Sequence, residues 1–363
     1  GGGGGGIGVK SWDRAFLTAI ARARLLPKGR GKSYRVTEYL PLSRCIEGVA
    51  MVLSSSFGIE MIEKPTAKSE AWCEHLQKFE MRRGGEGLGE LYLDMYARPH
   101  KLDGCAHFTV QCGRRMGDGS YRCPRVALSF DFPRTEGNKG EPLLSHAQLE
   151  TVFHEFGHVL HSMLGRTRYQ HLSGTRTSLD IVEVPSTLME YFVWEPSVLK
   201  RFARHHRTGE VIPDELLETL TRDKHAFAGL DTMQQVLYAS LDLELHSQGP
   251  YGTSESPPPL GWSAELLHAL ATKLLPIPHV KGSVSHALFS HLGSYGANYY
   301  SYLWCRGLSA SLWRSLFQKD PLRQGAGDPL VSLFLSHGGA RDPESIMADL
   351  AALSPPAEGG GGG

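Results

Sequence analysis

Apolar residues recur at steps of three and four along most of the chain, which is the period of a helix with one buried face. Such stretches predict helices over 11–26, 42–57, 70–83, 145–165, 182–206, 263–275, 295–317 and 344–353, with two more inside 214–247. Gly58 directly follows the second stretch and is a typical helix stop. The pattern therefore predicts a mainly α protein.

Between 88 and 132 the period changes to short alternating runs. These runs cover 88–96, 106–111 and 125–131, and turn residues such as Gly117-Asp118-Gly119 separate them. Alternation bounded by turn signals predicts a small antiparallel sheet of about three strands. An unpaired edge of this sheet could accept an extended peptide as an added strand.

The chain has glycine runs at both ends, over 1–6 and 359–363. We interpret these runs as padding and leave them out of the fold prediction. The low-complexity patch Ser254–Pro259 is predicted to be a loop, and we find no convincing linker elsewhere. Residues 7–358 are therefore predicted to form one mainly helical domain with an inserted small sheet.

Composition narrows the possible partners. Lys plus Arg equals Asp plus Glu at 38 each, and apolar residues make up 41% of the 363 residues. This balance is ordinary for a globular protein and lacks the basic signature of proteins that bind nucleic acid. The longest apolar runs are too short to span a membrane. No targeting peptide follows the first glycines, and nothing in the sequence indicates an oligomeric state.

Six cysteines occur, and they form no C-x-x-C pair. Six cysteines in a chain of this length do not make a disulfide framework, so we expect free thiols, including Cys105, Cys112 and Cys123.

The strongest chemical signal is the H-E-x-x-H motif formed by His154, Glu155 and His158. On a helix, residues four apart lie on one face, so both histidines can bind one metal ion. Glu155 is rotated by about 100° and can stand beside the ion as a general base. Ser145 and Gln148 form a capping-box start that predicts the helix. The motif therefore predicts one zinc ion per chain.

A catalytic zinc ion needs a third protein ligand and an open position for water. His161 is expected to be structural or to support the ligands, because three ligands rarely come from one straight helix. The residues leave three carboxylates open as candidates: Asp180, Glu183 and Glu190. A metzincin would need Gly at 161 and His at 164, where this chain has His161 and Leu164, so that class is excluded.

At these residues the sequence resembles the M3 family of zinc metallopeptidases, the thimet-oligopeptidase group. The family pattern of HEFGH followed by D-x-x-E-x-P-S matches 154–158 and 180–186. The resemblance implies that Glu183 is the third ligand. It covers the C-terminal half of the family's enzymes, which consist of two mainly helical halves around a channel.

The stretch Gly165-Arg-Thr-Arg-Tyr-Gln-His171 resembles the branch of the family that processes imported mitochondrial precursors. This implies a multi-helical zincin-type catalytic region that removes a short N-terminal peptide in the mitochondrial matrix, with a peptide or precursor protein as substrate. A family segment that stabilises the transition state matches 289–303. The match gives Tyr295, Tyr299 and Tyr302 as candidates, with His291 upstream. Of these, His291, Tyr295 and Tyr302 are taken as the implied oxyanion donors, a role that neutral phenol and imidazole groups suit.

Two alternatives stay open. One is a general thimet-type oligopeptidase that degrades short peptides. The other is an inactive fragment that acts only as a binding scaffold. Offering the full-length protein precursors and, separately, unrelated short peptides would distinguish precursor processing from general oligopeptidase activity. Cleavage of neither would favour the scaffold.

Overall fold

A computed structural model of the chain describes residues 9–25, 35–133, 140–247 and 259–353. Both glycine runs and most of the predicted loop Ser254–Pro259 lie outside the described residues. The mainly α architecture with a small sheet is confirmed. All six cysteines are free thiols. None of the described helices is long and apolar enough to cross a bilayer.

The helices are α1 Asp13–Leu25, α2 Leu42–Phe57, α3 His146–Leu164, α4 Leu179–Val182, α5 Val184–Phe192, α6 Pro196–Phe202, α7 Asp214–Ala226, α8 Ala228–His246, α9 Trp262–Leu274, α10 His291–Ser294, α11 Tyr300–Leu312, α12 Asp328–Leu333 and α13 Pro343–Ala352. The strands are β1 Ile59–Lys64, β2 Gln77–Arg83, β3 Glu86–Tyr96, β4 Ala106–Gln111, β5 Arg114–Arg115, β6 Tyr121–Arg122 and β7 Arg125–Phe132. Helix α2 ends where the sequence predicts, because Gly58 adopts a left-handed φ of 64°.

The main sheet has five strands in the order β1-β2-β3-β7-β4, so it is larger than predicted. It is also mixed, because β3 and β7 pair in parallel, with Leu91 opposite Val126. The prediction of a purely antiparallel sheet was wrong on this point. The chain leaves β3, forms the outer strand β4 and the hairpin β5–β6, and returns as β7 between β3 and β4. This insertion leaves β4 at one edge of the sheet.

Three predicted helices differ from the structure. The helix predicted over 70–83 was wrong throughout: residues 70–76 form turns and irregular backbone, and the rest is strand β2, where the buried Phe79 and Met81 alternate with polar residues. The stretch 182–206 is broken into shorter helices, and Pro185 and Pro196 occupy first turns. The stretch 295–317 becomes helical only at Tyr300.

The described residues group into two compact units. The larger unit comprises 33–214 and 305–363 and holds the sheet, α2 to α6, α12 and α13. Its core includes the fully buried ring of Phe317, which contacts the buried rings of Phe57 and Phe192.

The smaller unit comprises 1–32 and 215–304 and holds α1 and α7 to α10. Its core is built between α8 and α9 by Leu237, Leu241, Leu267 and Ala271. Helix α11 crosses the boundary between the units at residue 304. The assignment of 7–358 to one catalytic domain stays a prediction.

Candidate metal centre

Helix α3 carries the H-E-x-x-H motif, and its sequence explains why it forms. The Gln148 N–H donates to Oγ of Ser145 at 3.2 Å, and the Ser145 N–H donates to Oε1 of Gln148 at 2.8 Å. This reciprocal pair is the predicted capping box. Phe153 and Phe156 are fully buried and fix the helix against the rest of its unit. His154 and His158 therefore lie one above the other on the helix, as predicted.

Gly157 sets the distance between α3 and α5. A Cβ atom at this position would lie 2.4 Å from Cα of Ser186 and 2.6 Å from the carbonyl oxygen of Pro185. Only glycine permits this approach, because any side chain would push the backbone of α5 away. The close contact brings Glu183, directly before α5, up to the two histidines.

The side chains of His154, His158 and Glu183 meet in one cluster. Oε2 of Glu183 lies 3.4 Å from Nε2 of His154 and 3.3 Å from Nε2 of His158. The three ligand atoms lie within 4.8 Å of one another, and this is the one such group among the described residues that could hold a metal ion. Tetrahedral N and O ligands at about 2.0–2.1 Å from zinc are about 3.3 Å apart, so the donor set fits such an ion.

Glu190 lies behind His154 and outside the group of three possible ligands. Its Oε1 accepts a hydrogen bond from Nδ1 of His154 at 2.7 Å, on the side of the ring away from Glu183. Asp180 accepts from the hydroxyl of Ser178 at 2.5 Å. Of the three carboxylates left open by the sequence, Glu183 is the one that joins the histidines. Glu190 was an open candidate in the sequence, but nothing there indicated its role behind His154.

The carboxylate of Glu183 is itself oriented. Ser186 donates from Oγ to Oε2 of Glu183 at 2.6 Å. Burial opposes its ionisation, but the hydrogen bonds from His154 and His158 outweigh burial and hold the pKa of Glu183 well below its usual range. Burial likewise opposes charging of His154, yet Glu183 and Glu190 raise its pKa to about 10. Both shifts have one cause, because the carboxylates and the imidazoles of this cluster favour each other's charged forms.

Glu155 lies on the same helix and is 8% exposed. Burial raises the pKa of Glu155, while His158 and His154 act in the opposite direction. Its carboxylate is absent from the group that could hold the ion. This placement agrees with the expectation that Glu155 stands beside the metal and does not bind it.

Two further histidines surround the site. His161 is fully buried and packs on the Phe334 ring at 4.9 Å, and neither of its ring nitrogens has a hydrogen-bond partner among the described residues. Burial, and then the nearby His158 and His107, lower its pKa to about 3. His107 on β4 was missed by the sequence reasoning. Its Nε2 hydrogen-bonds Oγ of Ser162 at 3.0 Å, and its ring lies 5.9 Å from that of His158. Edge strand β4 therefore lies beside the metal centre.

The remaining predicted residues, His291, Tyr295 and Tyr302, belong to the smaller unit. They form one aromatic cluster, in which the His291 ring lies 5.2 Å from Tyr295 and 5.5 Å from Tyr302. Tyr299 completes the cluster at 5.1 Å from His291 and 5.2 Å from Tyr302. Tyr295 is 53% exposed.

A helix that carries two histidines and a neighbouring glutamate, with a second glutamate supplied by a following helix, defines the metal-binding class of H-E-x-x-H peptidases. Within that class, the chain belongs to peptidase family M3, whose sequence model matches residues 4–359.

Similar proteins support the assignment to this family. The chain is 38% identical over 344 residues to the mitochondrial intermediate peptidase of Arabidopsis thaliana, covering 94% of this chain and 47% of that protein. It is 36% identical over 336 residues to mitochondrial intermediate peptidase of Homo sapiens, covering 92% and 45%. It is 32% identical over 391 residues to mitochondrial intermediate peptidase 1 of Cryptococcus neoformans, covering 94% and 50%. The chain thus spans about half the length of the curated relatives that it matches.

Proposed function

We propose that this chain is the catalytic region of a zinc endopeptidase that removes a short N-terminal peptide from imported precursor proteins in the mitochondrial matrix. The observation that carries the proposal is the cluster of His154, His158 and Glu183, with Glu155 buried next to it. The processing role rests on the resemblance of residues 165–171, and the names of the relatives support a peptidase of mitochondria.

His154, His158 and Glu183 would hold the zinc ion. The ion would act as a Lewis acid at the scissile carbonyl and make water a better nucleophile at neutral pH. Glu155 is the proposed general base and acid: its carboxylate takes a proton from the attacking water and gives it to the leaving amine. Glu190 keeps the Nδ1 proton of His154 in place, so that Nε2 is free to bind the metal.

His291 and Tyr302 are the proposed donors to the oxyanion, with Tyr295 as a third candidate. A phenol O–H or an imidazole N–H can stabilise the negative charge that develops on the carbonyl oxygen. Their packing into one cluster gives these donors a fixed arrangement relative to one another.

The substrate is proposed to bind as an extended strand along β4. This strand pairs with β7 on one side only, and it carries His107 beside the metal ligand His158. Backbone pairing at a sheet edge holds a peptide with little regard to its sequence, and side-chain pockets then select among sequences.

The test uses the protein at the full length of its relatives. It is incubated with a precursor that carries a removable N-terminal octapeptide and, separately, with unrelated short peptides, and product termini are read by mass spectrometry. One defined cut in the precursor supports the proposal. Cleavage of the short peptides alone would identify a general oligopeptidase, and no cleavage of either by a zinc-loaded protein would identify a binding scaffold.

A further inference from the structure

The turn Gly296–Tyr299 ends at Tyr299 of the aromatic cluster. One carboxylate of helix α8 binds this turn through two hydrogen bonds. Oδ1 of Asp242 accepts the N–H of Ala297 at 3.0 Å, and Oδ2 accepts the N–H of Tyr299 at 2.8 Å. The Asp242 side chain is fully buried. A buried carboxylate needs hydrogen-bond donors, and here the turn supplies two of them.

The backbone of this turn is unusual for its sequence. Ala297 has a φ of 60°, in the left-handed region that residues with a Cβ atom disfavour. Gly296 packs directly on His246, since a Cβ at 296 would lie 2.3 Å from Nε2 of that ring. Nδ1 of His246 lies 2.8 Å from the backbone oxygen of Asp242 and 3.0 Å from its Oδ1. Contacts from α8 therefore hold a conformation that an alanine would not adopt on its own.

Tyr299 connects the turn to the proposed oxyanion donors. Its ring contacts His291 and Tyr302 at 5.1 and 5.2 Å, and it is 9% exposed. Its hydroxyl donates to Oε1 of Gln235 at 2.9 Å. Gln235 and Asp242 are seven residues apart on α8, two turns along the same face. One face of α8 thus fixes both the backbone and the side chain of Tyr299.

From these contacts we propose that Asp242 is a positioning residue, which sets the His291–Tyr302 cluster in its active arrangement by holding the Ala297 turn. The inference rests on the proposed peptidase function for its effect on catalysis. The attachment of the turn to Asp242 can be measured without any activity.

The decisive variant is Asp242→Asn in the full-length protein, with Glu244→Gln as the control, because Glu244 is an exposed residue of the same helix. The asparagine side chain has one acceptor oxygen, so one of the two turn N–H groups loses its partner. We expect faster hydrogen exchange at the amides of Ala297 and Tyr299. We also expect kcat for a peptide to fall by about 10-fold to 10²-fold, the scale of a misplaced catalytic group. KM and bound zinc stay unchanged.

A rescue separates positioning from general stability. Ala297→Gly in the Asp242→Asn protein removes the cost of the left-handed φ, and it should restore part of kcat. Gly296→Ala should lower kcat in the same way with Asp242 intact, because the new methyl group displaces the turn from His246. If Asp242→Asn does not fold, Gly296→Ala tests the same role of the turn.

Unchanged amide exchange in Asp242→Asn, or unchanged kcat with faster exchange, would overturn the proposal. A kcat loss that Ala297→Gly leaves untouched, accompanied by a matching loss of stability, would show a structural role only. If the unmodified protein cleaves no peptide, the proposed function fails, and the exchange data still decide whether Asp242 holds the turn.

Discussion

Glu190 accepts the Nδ1 proton of His154 at 2.7 Å, while Nε2 of the same ring faces Glu183 at 3.4 Å. A carboxylate behind a histidine ligand fixes both the tautomer and the orientation of the ring. The two glutamates therefore have different tasks at one imidazole. In the proposed site Glu183 completes the ligand set, and Glu190 orients the ring of His154.

This difference predicts a ranking of metal affinities. Glu183→Gln should lower zinc occupancy sharply, because the anionic ligand is lost. Glu190→Gln should retain most zinc, since its amide oxygen can still accept from His154. Glu190→Ala should weaken binding by about 10-fold to 10²-fold, the usual effect of losing such a partner. Zinc titration of the three variants against a fluorescent chelator measures this, and the reverse ranking of Glu183→Gln and Glu190→Gln would contradict the assignment.

Glu155→Gln should keep near-normal zinc content and fold, because its carboxylate is outside the ligand group. Peptide cleavage should fall by at least about 10²-fold to 10⁴-fold, the typical contribution of a positioned proton-transfer group. Steady-state kinetics and metal analysis on the same preparation test both statements. Glu150→Gln is the control on the same helix. Loss of zinc from Glu155→Gln would mean that Glu155 is a ligand or a structural residue.

Tyr302→Phe should also keep zinc and should lower kcat by about 10²-fold to 10³-fold, the effect of losing one oxyanion donor. Peptide affinity should change little, because the hydroxyl acts as charge develops in the transition state. Tyr300→Phe is the matched control two residues away. If Tyr302→Phe cleaves normally, the tyrosine serves packing, and His291 or Tyr295 becomes the candidate donor.

Asp94 on β3 provides a prediction on stability against pH. Burial by itself would raise its pKa, but hydrogen bonds from Arg98, Lys101 and Trp72 lower the pKa to about 2. An unfolded Asp titrates at about 3.9, so the stabilisation is full above that pH and is lost as the pH falls through about 2.

For this nearly buried side chain, 7% exposed, the shift corresponds to about 2 kcal/mol at pH 7. Asp94→Asn should therefore lower the unfolding free energy by about that amount at pH 7, and the difference should shrink between pH 4 and pH 2. Urea unfolding at several pH values measures it. The exposed Asp103→Asn should change stability by less than about 0.5 kcal/mol at every pH. A pH-independent effect of Asp94→Asn would contradict the linkage.

The parts of the structure that the sequence predicted correctly depend on neighbours within about four residues. The capping box at Ser145, the pair His154 and His158, and the helix stop at Gly58 are all of this kind. Strand β2 was mistaken for a helix because Leu76 and Phe79 also satisfy a step of three. Its extended form depends on pairing with β1 and β3, which no local pattern contains.

The different roles of Glu183 and Glu190 could not be predicted from near neighbours in the sequence either. Both residues were candidates, with Asp180, because they are carboxylates that follow the motif, and the family resemblance indicated Glu183. Their placement depends on how closely α5 approaches α3, which Gly157 and Ser186 determine. The turn that Asp242 holds had no sequence signal, because Ala297 and Tyr299 lie 55 and 57 residues after Asp242 in the chain.

The metal ligands come from two segments of chain, since His158 and Glu183 are separated by 25 positions. An ion bound to both would act as a removable cross-link that closes a loop of that length in the unfolded ensemble. A covalent bridge closing such a loop reduces chain entropy by an amount worth about 3.5 kcal/mol. Metal supply would then set the stability of the folded chain as well as its chemistry, and removal of the ion by a chelator would lower the free energy of unfolding.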